Sequence, residues 1–555
     1  MCYHKGMNTA KSSKDIIIEE QKTTIRLLTE ELAYLKEKLA YLQILHFGRK
    51  SEKISKPQIQ HEPVQLTLDF GDNPEDETRH KQGETSSETD ASENKAVSVN
   101  AHKRSKPGRK PLPKDLPRKI VTHELPPEEL QCKCGHIKQC IGYESSEKLV
   151  VIPERFFIEE HRYFKYACKS CCGTSTEGVS PTVVIAPAEE SVLPKCFATP
   201  SLLAYILVSK FCDALPFYRL EGIMGRNGVD LNRGTMCRWA TQAAHKLTPM
   251  AELFLEAILG GDVIFMDETT VQVNKEPGRA ASAKSYMWVM VSGGGSPPTI
   301  LFNYNQSRSS KVAKDLLKNY ARYVMTDGYD GYNFADEAGS EAIRLACWAH
   351  ARRKFFEALE LIDKKDRQDS IPQKAIEHIQ GLYKVEKEIR ETIDFAEIDR
   401  YEKIKIIRFE KALPILEKLK KDLEEWRPMV PSRTKTGKAI SYALNLWKQL
   451  IRYLEDGKCP IDNNAAENAI RPFVVGRKAW LFCDTVEGAT ATAVYYSIIN
   501  TAKANKLDPY WYMCYLLDKL PKLKCKKDFI PFIPQNVKKE DIQKFKEESI
   551  KNTSI

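Results

Sequence analysis

A multidomain α/β chain is the fold class this sequence predicts. Short apolar runs of strand length cluster between 263 and 347, and the stretches on either side repeat apolar residues at helical spacing. A chain of 555 residues with 42% hydrophobic content is enough for three or more folding units with real cores.

The strand candidates are Val263–Asp267, Tyr286–Ser292, Thr299–Tyr304 and Tyr323–Asp327, with Gly, Ser and Pro gathered at 293–298 between the second and third. A helix over Ser310–Tyr320 precedes the fourth strand, and Ile343–Cys347 makes a fifth. Three strands followed by alternating helix and strand is the order of an RNase H-like core, whose first part spans 261–357. Residues 358–459 read as an all-helical insertion. Ile376, Ile379, Leu382 and Tyr383, then Leu413, Leu416, Leu419 and Leu423, then Ile440, Leu444, Trp447 and Ile451 keep helical spacing. Trp426 and Trp447 suit the core of that insertion better than a base-stacking surface. The RNase H-like core resumes over 460–505, and 506–555 is a C-terminal element with a Lys-rich, weakly ordered tail.

Asp267 ends the first strand and Asp327 the fourth, whereas Glu467 lies in Ile461-Asp462-Asn463-Asn464-Ala465-Ala466-Glu467, which reads as the start of a helix. Each has a structural alternative. Asp is a common turn residue, and Asn464 with Glu467 has the spacing of a capping box. Together, however, the three suit phosphodiester chemistry. An oxygen nucleophile must come in line with phosphorus while a second oxygen leaves, and two Mg2+ (or Mn2+) ions ~3.5–4 Å apart stabilise both. Such ions take hard oxygen ligands, so a few carboxylates and the substrate phosphate complete their shells. The dipole at a helix N-terminus also favours an ionised Glu467. Asn464, Arg471 on the same helical face as Glu467, Arg477 and Lys478 are candidates for holding the DNA backbone. So are His350 and Arg353, although a His after a strand is commonly structural.

Upstream, Ile25, Leu28, Leu32, Leu35, Leu39 and Leu42 alternate steps of three and four. This is the a/d pattern of a coiled coil within 15–50, or else the apolar face of a helix packed on its own core. Residues 51–100 hold 11 Asp and Glu against 5 Lys and Arg, and 101–119 reverse to 8 Lys and Arg against the single Asp115. An acidic linker therefore runs into a basic arm over 51–119. There Arg109 and Lys110 would meet phosphates, unless the arm is a solvated linker. Within 120–185, Cys132-Lys133-Cys134-Gly135 and Cys168-Lys169-Ser170-Cys171-Cys172-Gly173 are two close thiol pairs separated by strand-like sequence. Cys132, Cys134, Cys168 and Cys171 are the donor set of one tetrahedral, structural Zn2+, and Cys172 can replace Cys171. With 15 Cys and no export signal, disulfides are not expected. Over 196–260, helices Leu202–Phe211, Tyr218–Arg226 and Arg233–Ala244 fit either a helix-turn-helix presenting Arg233 and Arg238 or a plain helical hairpin. No segment approaches the ~18 apolar residues of a membrane span. The expected setting is the cytoplasm of a prokaryotic cell, in association with the nucleoid.

At these residues the chain resembles the DDE transposases of the insertion sequence 66 type. The likeness is carried by the block from Pro460 to Phe482, by Asp267-Glu268-Thr269, by Thr326-Asp327-Gly328-Tyr329 with Gly331-Tyr332, and by Cys347-Trp348-Ala349-His350-Ala351-Arg352-Arg353. Phe47–Lys53 and Pro509-Tyr510-Trp511 through Leu520-Pro521 extend it towards both ends, while Ala479 stands where the family pattern has a polar Asn. The resemblance implies a zinc-binding module between Cys132 and Gly173. It also implies an enzyme that binds the terminal inverted repeats of an insertion sequence, cuts with Mg2+-dependent activation of water and joins the freed 3′ hydroxyl to target DNA. A homodimer or higher oligomer through the N-terminal helix, and accessory proteins encoded by the element, are the implied partners. The alternatives are a related RNase H-like nuclease or resolvase, and an inactive transposase-derived DNA-binding regulator.

Overall fold

The computed structural model describes residues 13–47, 156–162, 164–167, 183–185, 190–194, 196–337, 339–394 and 396–552. Arg109, Lys110, Cys132, Cys134, Cys168, Cys171 and Cys172 lie outside them. Ser51–Glu159 is a unit separate from Met1–Lys50 with Glu160–Ile555, and the elements that follow belong to the latter.

Helix α1 (Ser13–Phe47) leaves Ile25, Leu28, Leu32, Leu35, Leu39 and Leu42 about half exposed. Its Glu37 Oε1 accepts the Lys435 N–H at 2.5 Å. Strands β1 (Lys165–Ala167) and β2 (Val183–Ile185) pair antiparallel. Three helices follow: α2 (Pro200–Phe211), α3 (Phe217–Arg226) and α4 (Arg233–Leu259). Gly228, at φ +77°, turns the chain between α3 and α4, and Asn232 caps α4 by accepting the Thr235 N–H. The last of these helices runs well past the expected end at Ala244, because Leu247, Met250, Phe254 and Ile258 continue its buried face.

The sheet contains β3 (Val263–Lys275), β4 (Lys284–Gly293), β5 (Ile300–Asn305), β6 (Tyr323–Thr326) and β7 (Ile343–Ala346), with α5 (Ser310–Leu317) before β6. Its order is β5-β4-β3-β6-β7; β4 and β5 join antiparallel, whereas β6 and β7 run parallel to β3. Val263–Met266 are all buried although successive side chains point to opposite faces, so both faces of the central strand β3 are covered there. Contrary to expectation, β3 does not stop at Asp267. It stays paired with β4 through Gln272 and with β8 (Cys483–Thr485) from Val273, so Asp267 is a mid-strand residue.

Beyond β7 comes α6 (Trp348–Glu360), and the expected helical stretch consists of α7 (Ile371–Thr392), α8 (Arg400–Ile407), α9 (Leu413–Trp426), α10 (Lys435–Asn445) and α11 (Trp447–Ile451). Arg408 and Glu386 form a buried bidentate pair at 2.7 and 2.9 Å, and Arg408 Nη1 also donates to the Tyr453 and Cys459 carbonyls. This ties the helices to the loop that leads into α12 (Asn464–Trp480). Trp447 lies edge-on to the buried Trp348, a packing role. The capping box, the structural alternative for Asn464 and Glu467, is not formed. Asn463, not Asn464, precedes the helix, and the Asn464 side chain donates to Asp462 instead.

Helix α13 (Val486–Ala504) covers the edge strand β5, where Thr501 and Ser497 hydroxyls accept the Ile300 and Phe302 N–H groups at 3.0 and 2.8 Å. Side chains thereby satisfy an edge that would otherwise be open to other strands. After α14 (Pro509–Lys519), the tail expected to be weakly ordered packs instead, ending in α15 (Lys539–Asn552). Phe529 and Ile542 are buried, and Tyr512 donates to the Phe532 carbonyl at 2.7 Å. A few widely spaced apolar anchors among many Lys are enough to hold it. Among the described residues no helix is long and apolar enough to cross a membrane.

Candidate active site

The parallel register of β3 and β6 pairs Val263 with Tyr323, Ile264 with Val324 and Phe265 with Met325. The same offset, carried two residues further, sets Asp267 opposite Asp327. Neighbouring strands lie ~4.8 Å apart, and in-register residues of a parallel pair share one face of the sheet. Strand β6 ends at Thr326, so Asp327 stands just past the ladder, and both acids are half-buried. The turn that carries Asp327 is held from below by Arg344 of β7. Fully buried, it donates to Thr326 Oγ1 at 3.1 Å and to the carbonyls of Asp327 and Tyr329 at 3.0 and 3.2 Å. Asp327 Oδ1 itself accepts the Tyr329 N–H at 2.9 Å.

A brace links the two Asp-bearing segments. Glu268 accepts from Arg308 Nε and from the Tyr332 hydroxyl, each at 2.5 Å, and the Arg308 guanidinium lies 3.7 Å from the Tyr329 ring centre. Glu268 thus fixes Arg308, Arg308 packs on Tyr329, and the Tyr329 N–H orients Asp327. Neighbouring residues of a strand alternate faces, so Glu268 does this without competing with Asp267 for space.

Glu467 arrives through the loop before α12. Asn463 is fully buried; its Nδ2 donates to the carbonyl of Met266, the residue before Asp267, at 2.9 Å. Its N–H reaches Cys347 Sγ at 3.2 Å, while the Trp348 N–H bonds to the Ile461 carbonyl at 3.1 Å. These three bonds pin the start of α12 to the ends of β3 and β7. Glu467, in the first turn, has Oε1 3.7 Å from His350 Nδ1 and Oε2 3.8 Å from Arg353 Nη2. Glu467 Oε1 and His350 Nδ1 are buried without a hydrogen-bond partner, which is uncommon for native polar atoms.

Burial, together with the negative charges of Glu268, Asp327 and Glu467, holds the Asp267 carboxyl well above the usual carboxylate range. The three candidate acids therefore share one electrostatic neighbourhood. Burial keeps the His350 imidazole below its ordinary value even though Glu467 and Asp327 pull the other way. Among the described residues, the three ligand types whose donor atoms all lie within 4.8 Å of one another are Cys347, His350 and Glu467. Asp267, Asp327 and Glu467 are linked instead by the β3–β6 register and by the charges that Asp327 and Glu467 exert on Asp267. Their all-oxygen donors and the orphaned Glu467 Oε1 fit hard divalent cations.

The other sequence candidates are dispersed around this centre. Arg471 is half-buried one turn beyond Glu467, and Asn464 and Lys478 are exposed on α12. Arg477 turns inward: its Nη1 donates to Thr269 Oγ1 at 3.3 Å, to Thr270 Oγ1 at 2.8 Å and to the Thr270 carbonyl, tying α12 to β3. Arg233 and Arg238 are exposed on the first turns of α4. Sequence reasoning gave no role to Glu268, Arg308, Tyr332 or Asn463. Glu268, Tyr329 and Tyr332 lie inside quoted motifs, which was a signal, but the partner of Asn463 is remote in the chain.

Sequence profiles of known families match three stretches. The family described as "Transposase IS66 family" matches residues 195–491, which hold all three candidate acids. "Transposase C of IS166 homeodomain" matches 34–121, and "zinc-finger binding domain of transposase IS66" matches 129–172, which includes Cys132, Cys134, Cys168 and Cys171. Among curated proteins, the uncharacterized protein y4jD of Sinorhizobium fredii is 29% identical over 514 residues, covering 90% of this chain and 94% of its own. The uncharacterized protein y4qI of the same organism is 32% identical over 425 residues, covering 72% and 74%. A solved structure described as "Drosophila P element transposase strand transfer complex" aligns with a TM-score of 0.30 and 10% identity, over 54% of this chain and 92% of that one. The chain belongs to the IS66 family: it is a DNA-binding transposase of the DDE type with that family's zinc-binding region.

Proposed function

We propose that this transposase binds the terminal inverted repeats of an insertion sequence and catalyses Mg2+-dependent cleavage and strand transfer at Asp267, Asp327 and Glu467. In this reading residues 261–357 and 460–505 form an RNase H-like core interrupted by the helical insertion 358–459, as the strand order β5-β4-β3-β6-β7 supports. The observation that carries it is the β3–β6 register, which sets the two Asp opposite each other, with the charge of Glu467 felt at Asp267.

Two Mg2+ or Mn2+ ions bound there supply charge stabilisation for the attacking and leaving oxygens of an in-line displacement. Asp267 and Asp327 offer oxygens from the sheet and Glu467 from the first turn of α12. The brace through Glu268, Arg308 and Tyr329 keeps that spacing fixed before DNA arrives, so little reorganisation remains at the moment of reaction. His350, Arg353, Asn464, Arg471 and Lys478 hold the phosphate backbone beside the acids, and Arg477 anchors the helix that carries several of them. The exposed Arg233 and Arg238 of α4 read the element end, and Arg109 and Lys110 of the basic arm add phosphate contacts. Cys132, Cys134, Cys168 and Cys171 hold a structural Zn2+. The half-exposed apolar stripe of α1 supports a homodimer through a coiled coil, which would bring two element ends together. Element-encoded accessory proteins remain further partners of this reading, and its setting is cytoplasmic, at the nucleoid.

Incubating the purified chain with a labelled element end and Mg2+ or Mn2+ tests the reading. Cleavage followed by joining is the expected result. Cutting without joining favours a nuclease or resolvase, and binding without cutting favours a DNA-binding regulator.

A further inference from the structure

Cys347, His350 and Glu467 make a set of donors that phosphoryl transfer uses only in part. Cys347 is the fully buried residue that precedes α6, His350 lies in the first turn of that helix, and Glu467 reaches in from α12. Their sulfur, ring nitrogen and carboxylate oxygen all lie within 4.8 Å of one another. Two of the three donors are orphans: His350 Nδ1 and Glu467 Oε1 are buried, 3.7 Å apart, and neither has a hydrogen-bond partner. The sulfur is prepared differently. It accepts the Asn463 N–H at 3.2 Å and the His350 N–H, at the positive end of the α6 dipole. Burial pushes the free Cys347 thiol up, and these two amide donors work against that rise, so the sulfur is a neutral thiol that a bound cation would deprotonate.

We propose that Cys347, His350 and Glu467 bind one borderline-soft divalent cation of the Zn2+ class, with a fourth coordination position left open. Sulfur and nitrogen ligands suit Zn2+ or Co2+ and are a poor match for Mg2+, which prefers oxygen. On binding, the Cys347 thiol proton leaves to solvent and the sulfur forms the metal bond. Glu467 is shared with the Mg2+ pocket, so an ion held here competes with loading of that pocket. This last consequence rests on the proposed function; the binding itself does not.

The test titrates the full-length, metal-free chain with Co2+ as a spectroscopic probe. The zinc-binding region will also respond, so Cys347→Ser and His350→Gln are compared with wild type, with circular dichroism as the control for folding. The expected result is that wild type takes up one equivalent more than Cys347→Ser, with a weaker thiolate-to-cobalt absorption in that variant and an altered ligand-field band in His350→Gln. Equal uptake with unchanged spectra in both variants overturns the proposal. If Cys347→Ser does not fold, the His350→Gln spectrum decides alone. A second arm adds Zn2+ to the Mg2+-dependent cleavage reaction. Inhibition that Cys347→Ser relieves supports the shared use of Glu467. Cobalt uptake without inhibition leaves the metal site standing and counts against Glu467 as a Mg2+ ligand.

Discussion

Replacing Asn463 with Ala separates positioning of the site from mere packing. The substitution deletes the 2.9 Å bond from Nδ2 to the Met266 carbonyl, at a residue with no exposed surface. Losing a buried hydrogen bond and stranding its acceptor costs ~1–3 kcal/mol of stability. The kinetic effect should be the more telling one. Asn463 joins the start of α12 to the residue preceding Asp267, and Glu467 follows within the first turn of that helix. A shift of ~1 Å in a reacting group costs about 10²-fold in rate. Single-turnover cleavage of a preformed end complex should therefore fall about 100-fold, equivalent to ~2.7 kcal/mol of barrier, while the dissociation constant for the end stays near wild type. A variant that is less stable but cleaves within about threefold of wild type, under 1 kcal/mol of barrier, would show that Asn463 supports packing alone and does not set the place of Glu467.

Three further outcomes are expected. Leu32→Glu with Leu35→Glu on α1 should lower the self-association measured by sedimentation, since both side chains are more than half exposed on the apolar stripe; an unchanged oligomer mass would remove the coiled coil. Glu386→Ala should destabilise the unit by ~3–5 kcal/mol in urea, because it strands the buried Arg408; a loss below ~1 kcal/mol would mean the pair behaves as a surface ion pair. Lys458 and Arg322 hold the Asp262 carboxyl below its ordinary value, so the pair stabilises the fold above the unfolded carboxylate value of ~3.9 and loses that contribution as pH falls through the lower folded value. Lys458→Ala should cost up to ~1 kcal/mol at neutral pH, with the gap to wild type closing under acid; a gap that widens below about pH 4 would reverse the assigned sign.

The strand cores were legible because runs such as Val263–Met266 and Tyr323–Met325 are continuously apolar, and Asp327 does follow the end of its strand, whereas Asp267, expected at a strand end, lies inside one. What could not be read is what depends on partners far apart in sequence. The continuation of β3 to Lys275 is decided by pairing with β4 and β8, which no local pattern announces. The spacing of Asn464 to Glu467 left a capping box open as an alternative, yet the buried Asn463 precedes the helix and spends its amide on Met266. The bonds from Arg477 Nη1 to two Thr of β3 were hidden for the same reason, since those partners lie 208 and 207 residues away in the chain. The C-terminal tail misled because its Lys content hid the anchors Phe529 and Ile542.

The most direct test of the proposed metal pocket substitutes its acids one at a time. Asp267→Asn, Asp327→Asn and Glu467→Gln are each assayed for Mg2+-dependent cleavage of a labelled element end, with end binding and thermal unfolding measured on the same preparations. The expected result is that all three variants fold and bind the end while cleavage falls to background in each. A single variant among them that still cuts at the wild-type rate would show that its side chain is no part of the pocket.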